Sequence, residues 1–120
     1  VPLLDARRGE LYAAVFTPGE AEPAPGAPAE GVYTPEELAA RLPERCVLVG
    51  EGVPLFGARL RALRGPGVRL GPASDPRAAD VGALGRRLLL RGEGVDVAAL
   101  VPRYLRRAEA EVQRTGERFE

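Results

Sequence analysis

The chain contains no histidine, lysine, asparagine, methionine or tryptophan, and only one cysteine (Cys46), one serine (Ser74) and one glutamine (Gln113). These absences exclude most routes to chemistry. Without His and with a single Cys there is no zinc-type ligand set. Neither Cys46 nor Ser74 has a histidine to activate it as a nucleophile, so Cys46 reads as a core thiol and Ser74 as a cap or turn residue. Every basic residue is Arg, which stays protonated and cannot serve as an ordinary base at neutral pH. A phosphate loop of the Walker type needs a Lys that is missing. One cysteine excludes an internal disulfide and fits a reducing compartment, with the cytoplasm as the default expectation. No apolar run approaches the ~20 residues that span a bilayer. The 17 basic and 17 acidic residues balance, which argues against a dedicated nucleic-acid or anionic-membrane binder.

What is present reads as one domain of 120 residues, long enough to bury a core. The residues from Leu3 to Phe16 predict two strands joined by a turn at Arg7-Arg8-Gly9. The first is read over 1–6 and the second over 10–16. Leu11, Ala13 and Val15 point one way, and Tyr12, Ala14 and Phe16 the other, so both faces of the second strand call for cover. Residues 17–31, rich in Gly, Pro and Glu, predict a solvated loop. Val32-Tyr33 regains the sheet edge. Thr34-Pro35-Glu36-Glu37 carries a capping box with Pro at the first helical position, and Leu38 and Leu42 share one helical face before Pro43 ends it. Residues 46–49 predict a strand buried on both faces, and Gly50-Glu51-Gly52 turns out of it. A helix over 54–63 should bury Phe56, Leu60 and Leu63, and Gly65-Pro66 stops it. Val68-Arg69-Leu70 predicts a short strand. The longest helix is expected from Asp75-Pro76, with Val81, Leu84 and Leu88 at helical spacing and Gly92 as its cap. The core is drawn over 1–94, with a tail over 95–120.

Early hairpin strands followed by alternating helices and strands predict an α/β fold, a mixed sheet flanked by helices in a ribonuclease-H-like order. Four groups are candidates for function. Asp5, Arg7, Arg8 and Glu10 flank the first turn, either as an ion-paired turn or as a contact for another surface. Gly50, Glu51 and Gly52 lie between a strand and a helix and read first as a plain tight turn, with a phosphate seat as the rival, although Leu55 stands where a dinucleotide fingerprint needs Gly. Arg59, Arg61, Arg64 and Arg69 read as a solvated face rather than a phosphate track. Tyr104 and Arg106 follow the last helix, and Tyr104 either docks the tail or anchors a partner. No catalytic residue, metal ligand or cofactor-binding set is assigned.

Three segments together resemble one family. Residues 4–13 (LDARRGELYA), 47–52 (VLVGEG) and 102–106 (PRYLR) are similar, in order, to segments of the C-terminal lobe of TsaB (YeaZ) proteins. The resemblance covers essentially the whole chain. It implies one of two ribonuclease-H-like lobes of an actin/Hsp70/acetate-kinase-like fold, with the N-terminal lobe absent from this sequence. It further implies a bacterial, cytoplasmic, non-catalytic accessory protein that supports TsaD, with TsaE, in making the threonylcarbamoyladenosine of tRNA. The family is labelled glycoprotease-like by kinship. No cofactor is implied for this lobe, ATP belonging to the assembled complex, and tRNA is met only through that complex. The family's early Asp-Thr strand and its Gly-Pro-Gly-Ser-Phe-Thr-Gly segment, which belong to the first lobe and its partner contact, do not occur here, so self-association as a homodimer is an added expectation. The alternatives are a nucleotide-binding lobe of an acetate-kinase/Hsp70-like enzyme, with ATP or ADP at Gly50–Gly52, and a glycoprotease-type peptidase.

Overall fold

The computed structural model describes residues 1–20, 22–106, 114 and 116. They form a small mixed α/β structure with antiparallel and parallel strand pairing and three α-helices among the described residues. The chain divides into two compact units at Asp75/Pro76.

The first unit holds β1 (Leu3–Arg7), β2 (Glu10–Ala13), β3 (Gly31–Tyr33), α1 (Pro35–Arg41), β4 (Cys46–Leu48), α2 (Val53–Arg64) and β5 (Val68–Leu70). Strands β1, β2 and β3 form an antiparallel meander, with Leu3 opposite Ala13 and Leu11 opposite Tyr33. Strands β4 and β5 pair in parallel, Cys46 opposite Val68. A parallel bridge between Pro2 and Val49 links the two sets. There the Leu3 N–H donates to the Val49 carbonyl at 2.8 Å and the Val49 N–H to the Val1 carbonyl at 3.0 Å. The neighbour order is therefore β3-β2-β1-β4-β5, with β2 alone running against the rest.

Side-chain alternation along these strands decides the core. Leu3, Leu11, Ala13, Val15, Leu48 and Val68 line one face, and Leu38, Ala39 and Leu42 of α1 and Val53, Phe56 and Leu60 of α2 close over it. A fully buried Leu contributes roughly 1.5–3 kcal/mol by leaving water. The expected two-sided burial of residues 46–49 is corrected: Leu48 is fully buried, whereas Val47 on the opposite face is 44% exposed. Helices α1 and α2 both serve the Leu48 face. The Pro- and Gly-rich stretch after β2 is also less free than its composition suggests. The Val15 N–H donates to the Pro28 carbonyl at 3.1 Å, the Ala24 N–H donates to Val15 at 2.7 Å, and Phe16 bridges Pro23.

Helix α1 starts as its sequence dictates. The Thr34 hydroxyl accepts from the Glu37 N–H at 3.3 Å, and a Glu37 carboxylate oxygen accepts from the Thr34 N–H at 2.9 Å, closing the capping box. Removing the cap in Thr34→Ala should cost about 1 kcal/mol; urea denaturation of Thr34→Ala beside Thr34→Ser measures it, because Ser restores the acceptor. Helix α2 buries Phe56 and Leu60, but Leu63 is 50% exposed, contrary to expectation. Leu63 lies in the last turn, where α2 meets α1 through polar contacts instead. There the Arg64 Nε donates to the Leu42 carbonyl at 2.7 Å, and one turn earlier Arg59 pairs with Glu36 at 2.6 Å. The arginine cluster is thus split: Arg59 and Arg64 tie the helices together, and Arg61 and Arg69 stay exposed.

The second unit contains α3 (Ala78–Leu90) and a 3-10 turn over Val97–Ala99. Helix α3 begins after Arg77 rather than at Asp75-Pro76, and Ser74 precedes it, exposed. Both oxygens of the Asp80 carboxylate accept from Arg77, each at 2.9 Å. That hydrogen bond holds the Asp80 carboxyl below its usual value. The end of α3 follows the expected glycine. Gly92 takes φ of 75°, its N–H donates to Leu89, and the Glu93 N–H donates to Leu88, a Schellman closure. No residue of α3 is buried, and Val81, Leu84 and Leu88 are all exposed.

Candidate functional site

The first candidate is the tip of the β1–β2 hairpin. Arg7 and Arg8 take φ of 66° and 57°, and Gly9 takes 78°. Three successive residues therefore sit in the left-handed region, two of them bearing side chains that disfavour it. The ladder is bulged between Asp5 and Arg7, and Arg7 lies opposite Glu10. One Asp5 carboxylate oxygen accepts the Arg7 N–H at 2.8 Å, and the other lies 3.4 Å from its guanidinium. The result is a locked, outward-facing Arg-Arg tip: the Arg7 side chain is 86% exposed. Glu10 is buried beneath it. Type I′ geometry at Arg8-Gly9 is what Asn-Gly adopts most readily. Arg8→Asn should therefore raise stability by about 0.5–1 kcal/mol, read as a higher urea midpoint at constant slope.

The glycine turn has a different task. The Gly50 N–H donates to the Pro72 carbonyl at 3.0 Å, the Gly52 N–H to the Leu3 carbonyl at 2.9 Å, and the Val53 N–H to Gly50 at 3.1 Å. Pro54 has no N–H. Of the amides that a phosphate would draw on at the start of α2, those of Gly50, Gly52, Val53, Leu55 and Phe56 are engaged by backbone carbonyls. A β-carbon at Gly50 would lie 2.7 Å from the Leu3 oxygen, and one at Gly52 would lie 2.9 Å from the Leu3 β-carbon. Close approach to β1 explains both glycines.

Tyr104 is 66% exposed and Arg106 is half-buried. Both residues belong to the second unit, and the hairpin tip belongs to the first. Cys46 is half-buried. Burial pushes its thiol up, against the pull of the Val1 ammonium and Arg64. A raised thiol contributes stability below the ordinary thiol range and loses it as pH rises through the shifted value. Maleimide should therefore label Cys46 more slowly than free glutathione at neutral pH, with the gap closing at alkaline pH in timed mass spectra.

A cavity of about 360 Å³ opens at the end of β4 and β5. Val15, Phe16 and Pro18 come from the run-out of β2, Pro43 and Arg45 from the α1–β4 connection, Cys46 and Val47 from β4, and Arg69 from β5. No short motif announces it, because four separate segments meet there. Among the described residues no group of three or more His, Cys, Asp and Glu comes together, and no helix is long and apolar enough to cross a membrane. No protein-family model, curated protein or solved structure matches the chain.

Proposed function

We propose that this chain is a ribonuclease-H-like lobe of a TsaB-type protein, acting as a non-catalytic scaffold for TsaD in threonylcarbamoyladenosine formation on tRNA. The observation that carries the reading is the neighbour order β3-β2-β1-β4-β5 with β2 alone reversed, into which two of the three family-like segments fall as the central hairpin and the β4–glycine turn. The hairpin tip adds support. Arg7 and Arg8 are held in a conformation that costs backbone energy, a feature that accumulates where a surface must present particular groups. The sequence supplies no His and no Lys for chemistry. The nucleotide-binding alternative draws little from Gly50–Gly52, since the amides of Gly50, Gly52 and Val53 are already hydrogen-bonded.

The test is reconstitution with TsaD, TsaE, ATP, threonine, bicarbonate and tRNA, using the full-length protein that carries this lobe. Modification should depend on adding it and should fall when Arg7 and Arg8 are both reversed to Glu. Unchanged modification without the protein overturns the scaffold role.

A further inference from the structure

We draw no further inference here: the strongest candidate, the exposed apolar stripe of α3 formed by Val81, Leu84 and Leu88, carries nothing, since nothing in the structure shows what covers it.

Discussion

Gly50→Ala should lower the unfolding free energy of the first unit by about 3 kcal/mol or more. Two costs combine. Gly50 takes φ of 102°, outside the range that a side chain tolerates, and the added β-carbon would meet the Leu3 oxygen at 2.7 Å. That oxygen is backbone at the junction of β1 with β4 and cannot swing aside as a side-chain end could. The Leu3 carbonyl also accepts the Gly52 N–H at 2.9 Å, so displacing it disturbs the joint between the meander and the parallel pair. Gly9→Ala is the control. It has positive φ as well, but its added carbon meets nothing within 4 Å, so only the backbone cost remains, about 1 kcal/mol. Far-UV circular dichroism in urea separates the two. Equal losses would mean that the close approach at Gly50 does not constrain the fold.

Leu60→Ala should cost 2–5 kcal/mol, whereas Leu63→Ala should cost under about 1 kcal/mol. The helical spacing of the two residues makes them look equivalent. Leu60 is fully buried among the core residues, and Leu63 is half exposed. Truncating Leu60 leaves a void lined by side chains that relax only in part, whereas truncating Leu63 removes surface that water already reaches. A domain of this size has only about 5–15 kcal/mol in hand, so Leu60→Ala also approaches the threshold of folding. A Leu63→Ala loss equal to that of Leu60→Ala would contradict the orientation of α2.

Local signals were legible where short-range chemistry decides the outcome. The Thr34–Glu37 box sets the start of α1, and Gly92 closes α3, because each depends on hydrogen bonds made within a few residues. The Arg7-Arg8-Gly9 turn was visible as a turn, though not its run of left-handed residues, since Arg favours neither position. The errors lie where a distant partner decides. The burial of Val47 and of Leu63 each turned on which face within the first unit packs against its neighbours. The glycine turn read first as a plain tight turn, with a phosphate seat as the rival, because a tight approach to a neighbouring strand and a tight approach to a ligand demand the same residue.

By itself the sequence determined the α/β alternation, the caps and breaks that bound each element, and the poverty of catalytic side chains, because these follow from residue type and spacing of a few positions. Only the tertiary structure decided that β1 pairs with both β2 and the end of β4, that the unit boundary falls at Asp75/Pro76, and that Arg45, Cys46, Val15 and Arg69 share one cavity. Those relations join residues far apart in the chain. They are settled by which apolar faces close together and which backbone groups find partners, and neither is written in any single segment.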